Sequence, residues 1–150
     1  MRAVVQLVKE SSVKVEGNVT GEIKNGFLVL LGISHEDEES DVIWALDKLV
    51  KLRVFNDDNG KMNKSLIDTN GAVLLVSQFT LFASIKKGNR PSFIKAASPE
   101  LANKLYDFAV NYLKNKYKIK VETGVFGAMM EVSLINYGPV TITIDSKNRE

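Results

Sequence analysis

Phe27-Leu28-Val29-Leu30-Leu31-Gly32-Ile33 is the stretch on which the fold turns. Its apolar residues do not alternate with polar ones, so a strand here buries both faces and belongs at the centre of a sheet. Upstream, residues 3–9 and 12–16 place valines at alternate or near-alternate positions and read as strands. Gly17-Asn18 is a hairpin signal, a short strand follows near 19–24, and Asn25-Gly26 turns the chain into the central strand. Downstream, Ser34 opens a capping region for a helix at roughly 38–50, where Val42, Leu46, Leu49 and Val50 recur at helical spacing and acids gather at the start.

Beyond that helix, Leu52 to Phe55 reads as a brief strand ended by Asn56-Asp57-Asp58-Asn59-Gly60. Val73 to Phe79 reads as a second strongly apolar strand. Residues 83–98 form a polar loop long enough to suggest function. Ser98-Pro99-Glu100 starts a second helix whose apolar face includes Leu101, Leu105, Phe108, Ala109 and Leu113. Strands near 118–123, 129–135 and 140–145 follow. The expected class is α/β: mixed β-sheets packed as two layers, with two amphipathic helices covering one side, in a single domain over residues 1–150.

The bulk numbers agree with a globular domain: 150 residues, 45% apolar and 25% charged. With no cysteine in the chain, thiol nucleophiles, thiolate metal sites and disulfides are excluded. The run from Phe27 to Leu31 is too short to span a bilayer, and the alternating N-terminal residues do not read as a signal peptide, so no membrane association and a cytoplasmic location are expected. Net charge is only +2, but Lys86, Lys87, Arg90 and Lys95 cluster within residues 86–95 without an acid, and Lys114, Lys116, Lys118 and Lys120 cluster further on. Such patches can meet phosphate, although a solvated lysine-rich surface reads the same way. Lys86, Lys87 and Arg90 are the candidate contacts to phosphate.

His35 is the single histidine, which rules out a two-histidine metal site and leaves a serine triad dependent on one residue between a strand and an acidic helix start. There is no phosphate-binding glycine loop of either common type, and Asp57-Asp58-Asn59-Gly60 lacks the closing glutamate of a calcium loop. No cofactor and no metal are therefore expected. Ser77-Gln78-Phe79-Thr80-Leu81-Phe82 ends an apolar strand in polar groups. On strand spacing, Ser77 and Phe79 share one face, and Gln78 and Thr80 the other. Without a general base, the hydroxyls are poor nucleophiles. Backbone N–H groups at a strand end can instead stabilise the oxyanion of an ester under attack. The competing reading is an ordinary strand terminus. Asn136-Tyr137-Gly138-Pro139-Val140-Thr141 reads first as a proline turn between two antiparallel strands, with the added capacity to aim fixed carbonyls at an ammonium group.

Six ordered segments carry a resemblance over nearly the whole chain: residues 1–6, 30–35, 77–82, 87–93, 126–128 and 136–141. Together they are similar to the D-aminoacyl-tRNA deacylases, the D-tyrosyl-tRNA deacylase family. The resemblance implies a three-layer deacylase-type fold and a homodimer that hydrolyses the ester joining a D-amino acid, or mischarged glycine, to tRNA. It implies that Ser77, Gln78, Phe79 and Thr80 supply the pocket floor and oxyanion donors, with the substrate's ribose 2′-hydroxyl assisting attack. It further implies a cis Gly138-Pro139 bond inserted into the partner's site, whose carbonyls engage the substrate amino group and exclude L-amino acids. Ala102, Phe126 and Met130 are implied to line the pocket for the terminal adenine. Leu7, Met129 and Tyr137 depart from the family pattern, standing where arginine, aspartate and aspartate are common. Two other functions fit the same features: a non-catalytic nucleic-acid-binding domain of this fold, and a deacylase relaxed in its chirality.

Overall fold

The computed structural model describes residues 1–149. Its strands are β1 (Arg2–Val15), β2 (Asn18–Ile23), β3 (Gly26–Gly32), β4 (Phe55–Asn56), β5 (Met62–Lys64), β6 (Ala72–Ser77), β7 (Val121–Thr123) and β8 (Glu131–Asp145). Its helices are α1 (Glu39–Lys51) and α2 (Pro99–Tyr117).

The central strand is β3, paired antiparallel to the first half of β1 and parallel to β6. β6 pairs parallel with β7. The second half of β1 pairs with β2, and β8 runs antiparallel along the other edge of β1. The two parallel steps require crossovers, which α1 and α2 provide. The sheet curls on itself: a Cβ on Gly21 of β2 would lie 2.5 Å from the carbonyl oxygen of Thr123 in β7, so the two ends of the strand order press together where only glycine fits.

Two cores result. Inside the curl, Val8, Val13, Ile23, Leu28, Leu74 and Val76 pack together. On the outer face, Val5, Phe27, Val29 and Leu75 pack against Val42, Leu46 and Leu49 of α1 and Leu105, Ala109 and Leu113 of α2. β3 and β6 serve both cores, which is why their sequences are continuously apolar. Each fully buried aliphatic side chain contributes about 1.5–3 kcal/mol. The two expected sheet layers are thus two parts of one curled sheet, with the helices as the third layer.

Helix starts follow their capping residues. The Asp41 carboxylate accepts the Glu38 amide at 3.0 Å, and Ser98 Oγ accepts the Leu101 amide at 3.4 Å. Burial pushes the Asp41 carboxyl up, but hydrogen bonds from Lys147, the Glu38 amide and Ser146 more than offset it and hold the group below its usual range. The α-ammonium of Met1 is buried against the buried carboxylate of Asp37 and donates to Ser146 Oγ at 2.9 Å.

Several boundaries differ from the sequence reading. The segments expected at 3–9 and 12–16 are one strand, because Glu10 and Ser11 between them pair with Ile135 and Leu134, and the buried Ser11 hydroxyl is satisfied by donating to the Ser133 carbonyl at 2.9 Å. Those expected at 129–135 and 140–145 are likewise one strand, β8. β7 starts only at Val121 because Lys118, at φ 56°, is the left-handed cap of α2. The strand expected at Leu52 to Phe55 shrinks to β4, whose short partner β5 had no sequence signal. β6 ends at Ser77, and Phe79–Phe82 form a 3-10 turn, so the expected strand alternation of Gln78 and Thr80 does not occur.

Candidate active site

The Leu31–Ser77 pairing ends the β3–β6 ladder, and the Gln78 amide makes one further bond to the Leu31 carbonyl at 2.8 Å. The chain then folds into the 3-10 turn directly over β3. This needs Gly32: a Cβ there would stand 2.9 Å from the Gln78 carbonyl oxygen and 3.0 Å from Leu81 Cβ. Within the turn, the Leu81 amide donates to Gln78 O at 3.2 Å and the Ala83 amide to Thr80 O at 3.0 Å. Arg2 pins the far side, donating from Nη1 to Leu81 O at 3.0 Å while its guanidinium lies 4.9 Å from the Phe82 ring centre. Asp145 holds Arg2 in turn, at 3.0 Å from Nε.

The turn's own bonding does not use the amides of Phe79 and Thr80, as expected for the first N–H groups of a helical turn. Phe79 and Thr80 are exposed, and Ser77 and Gln78 are half-buried. Gln78 Nε2 donates to Thr80 Oγ1. That bond occupies a hydroxyl lone pair and leaves the hydroxyl proton available to a ligand. The site therefore presents two backbone donors and one oriented hydroxyl on a rigid strand end.

The second motif is built differently from the expected hairpin turn. β8 pairs with β1 on both sides of it: Asn136 opposes Val8 and Thr141 opposes Gln6. Between these pairs β1 has only Leu7, whereas β8 has Tyr137, Gly138, Pro139 and Val140. The surplus leaves the sheet as an exposed bulge. Asn136 closes its neck, donating from Nδ2 to Leu7 O at 3.0 Å and to Val140 O at 3.1 Å. The Gly138-Pro139 bond at the tip is cis. Tyr137 is half exposed, with Lys9 Nζ 5.0 Å from its ring centre.

Within one chain the two motifs stay apart. Among the described residues, no hydrogen bond, ion pair or ring contact joins residues 77–82 to Gly138 or Pro139. A cavity of about 570 Å³ lies beside Leu81 and is lined by Arg2, Trp44, Lys48 and Ile142, but not by Gln78, Thr80 or Gly138.

The remaining candidates are scattered around this strand end. Ala102 and Phe126 pack against the helix-side core, and the Phe126 ring lies 6.0 Å from that of Tyr106. The Tyr106 hydroxyl donates to the Leu75 carbonyl at 2.6 Å, and burial pushes its pKa up. Met130 packs instead toward the core inside the curl. Lys86, Lys87 and Arg90 are exposed on a loop closed by the Ser84–Ser92 bridge, with amide–carbonyl distances of 2.8 and 2.9 Å. His35 is exposed and ties this loop to the end of β3, its Nδ1 3.2 Å from Lys95 O. Among the described residues, no three His, Cys, Asp or Glu side chains gather as a metal-binding group. Sequence reasoning missed Asn136 as the closure of the bulge and Arg2 as the support of the turn. Both act on backbone carbonyls, which carry no residue signature.

The profile of the family described as D-Tyr-tRNA(Tyr) deacylase matches residues 4–145. The chain belongs to this family. It is 58% identical over 147 residues to the D-aminoacyl-tRNA deacylase of Bacillus pumilus, covering 98% of this chain and 99% of that one. It is 54% identical to the D-aminoacyl-tRNA deacylase of Thermosipho africanus, with 98% of each chain covered. A solved structure described as c-Myc DNA Unwinding Element Binding Protein superimposes with a TM-score of 0.92 at 41% identity, covering 97% of this chain and 98% of the other. That structure shares the fold of this chain, the curled sheet with two covering helices.

Proposed function

We propose that this chain is a D-aminoacyl-tRNA deacylase, hydrolysing the ester that joins a D-amino acid to the 3′-terminal ribose of tRNA. Membership of the family carries the activity. The observation that best supports a mechanism is the 3-10 turn, whose Phe79 and Thr80 amides are unused by the fold. The ester carbonyl oxygen sits against these donors. Water attacks the carbonyl carbon, the negative charge that develops on oxygen is held by the two N–H groups, and the tetrahedral intermediate collapses. The bond to the ribose oxygen breaks, that oxygen takes a proton, and free D-amino acid and tRNA leave. One oxyanion donor is worth about 10²–10³ in rate. No side chain at the site titrates as a base, so the substrate's neighbouring 2′-hydroxyl relays the proton.

The Gly138-Pro139 bulge supplies chirality. Projecting from one subunit, it enters the site of a second copy, where its carbonyls accept the substrate ammonium and occupy the space of an L side chain. Glycine, lacking a side chain, is not rejected and is removed as well. Ala102, Phe126 and Met130 border the adenine, and Lys86, Lys87 and Arg90 neutralise backbone phosphates. The reaction needs no cofactor and takes place in the cytoplasm, where tRNA is charged.

Deacylation of matched D- and L-tyrosyl-tRNA tests the reading. Cleavage of the D-ester with the L-ester spared by a factor of about 10³, equivalent to roughly 4 kcal/mol, is expected. Equal cleavage of both overturns the chiral role of the bulge. The name of the 41%-identical structural relative favours one second reading, a nucleic-acid binder without turnover. Tight tRNA binding with neither ester cleaved is its signature.

A further inference from the structure

Phe79 is doubly unusual. It belongs to the turn whose amides face the ester, yet 56% of its surface is exposed. Its ring meets Phe93 edge-on, with centroids 5.0 Å apart and planes at 72°. Phe93 directly follows Ser92, which closes the basic loop against Ser84. The aromatic pair therefore lies between the turn and a loop tip carrying Lys86, Lys87 and Arg90, all exposed. Ile85 and Ile94 flank it, 72% and 87% exposed. An exposed ring braced by a half-buried one, beside cations that make no ion pair among the described residues, suits single-stranded nucleic acid, where bases stack on rings and phosphates meet the positive charge.

We infer that Phe79 and Phe93 form a stacking platform for the nucleobase next to the terminal adenosine of the tRNA 3′ end. This rests on the deacylase reading and adds a specificity element to it. The ester lies at the Phe79 and Thr80 amides, so the nucleotide beyond the terminal one is the first that leaves the turn toward the basic loop. The Phe79 face presented there accepts any base, because every base has a π-face. The edge contact from Phe93 fixes the Phe79 ring in that orientation. The platform accordingly reads the presence of a single-stranded extension, and distinguishes tRNA from smaller esters of adenosine.

The test uses Phe93, which makes no bond to the ester. Phe93→Leu keeps apolar bulk and removes the ring; Phe93→Tyr restores it. On D-tyrosyl-tRNA, Phe93→Leu is expected to lower kcat/KM about tenfold, through KM, with Phe93→Tyr near wild type. On D-tyrosyl-adenosine, the wild type and both variants are expected to be equal. D-tyrosyl-tRNA with an abasic penultimate position is expected to be as poor a substrate for the wild type as intact tRNA is for Phe93→Leu. Independently of catalysis, 2-aminopurine at the penultimate position of uncharged tRNA is expected to be quenched by the wild type and not by Phe93→Leu. Equal losses on D-tyrosyl-tRNA and D-tyrosyl-adenosine, or an unquenched probe with bound wild type, overturn the platform. If the wild type cleaves no D-ester but quenches the probe, the deacylase reading fails and the platform stands.

Discussion

The side-chain amide of Asn136 donates to the backbone carbonyl of Leu7 at 3.0 Å, and the same nitrogen reaches Val140 O at 3.1 Å. One side chain thus spans the neck of the Gly138-Pro139 bulge and fastens it to β1. Leu7 enters this contact through its backbone, while its side chain is buried in the helix-side core. Asn136→Ala is expected to cost only about 0.5–1.5 kcal/mol in thermal unfolding. Its larger effect falls on function, with the discrimination between D- and L-tyrosyl-tRNA reduced severalfold. Selectivity equal to wild type shows that the bulge holds its shape without the clasp.

Because residues 77–82 and the bulge do not meet within one chain, a shared site predicts complementation between subunits. Pro139→Ala frees the backbone that fixes the bulge carbonyls. Thr80→Ala deletes the hydroxyl held by Gln78. Each homodimer is expected to be impaired. Random mixing of the two should restore about a quarter of wild-type sites, since half of the dimers are mixed and each mixed dimer keeps one intact site. Mixed dimers demonstrated by mass but lacking restored activity argue against a site that spans the interface.

His35 makes its contact with the Lys95 carbonyl at the foot of the basic loop, away from Gln78 and Thr80. A general base contributes about 10²–10⁴ in rate. His35→Ala is therefore expected to keep kcat/KM within about twofold. A loss of two orders of magnitude restores His35 to the mechanism.

Five aspartates lie below their ordinary value of 3.8 in the folded chain, and in three of them, Asp41, Asp47 and Asp145, burial is the largest opposing influence. In each, burial pushes the pKa up and hydrogen bonds more than offset it: from Lys147 and the Glu38 amide at Asp41, from Tyr117, Tyr112 and Lys116 at Asp47, and from Arg2 at Asp145. A carboxyl with a folded pKa below its unfolded one contributes stability that is present above the unfolded value and lost as pH falls through the folded one. Stability is thus expected to hold down to about pH 5 and then to decline into strong acid. Asp41→Asn should flatten part of that decline, measured as denaturation midpoint against pH. An unchanged slope removes Asp41 from the acid transition.

Met1 and Asp37 make a buried ion pair, completed by bonds to Ser146 and from the Ser34 amide. Asp37→Asn leaves a buried ammonium without its counter-charge, at a cost of about 3–5 kcal/mol. The expected readout is a large fall in the unfolding midpoint in denaturant. A fall below 1 kcal/mol means that water reaches the ammonium.

How much of this was legible follows from where the information lies. β3, β6 and both helices were readable because their burial is two-faced or helical, and composition alone reports it. The pairing of both halves of β8 with β1 was not, since register depends on partners more than a hundred positions away. The strand read over Val73 to Phe79 stops two residues early, at Ser77, and the turn that replaces its end exists because Gly32 on the neighbouring strand makes room for it. Gly138-Pro139 read as a hairpin turn because local sequence cannot distinguish a turn between paired strands from a bulge within one.

The long β1–β8 ladder also governs when the molecule can come into being. β1 leaves the ribosome before the other strands described, yet the edge it offers beyond β3 and β2 waits for residues 131–145. That closure joins positions far apart in the chain, the kind of contact that slows folding and leaves strand edges open meanwhile. The bulge is made in the same late step, because it exists only once β8 is registered on both sides of Leu7. A nascent chain therefore carries residues 79–82 before it can form the bulge, and on the proposed roles the ester-binding turn precedes the element that selects between the hands.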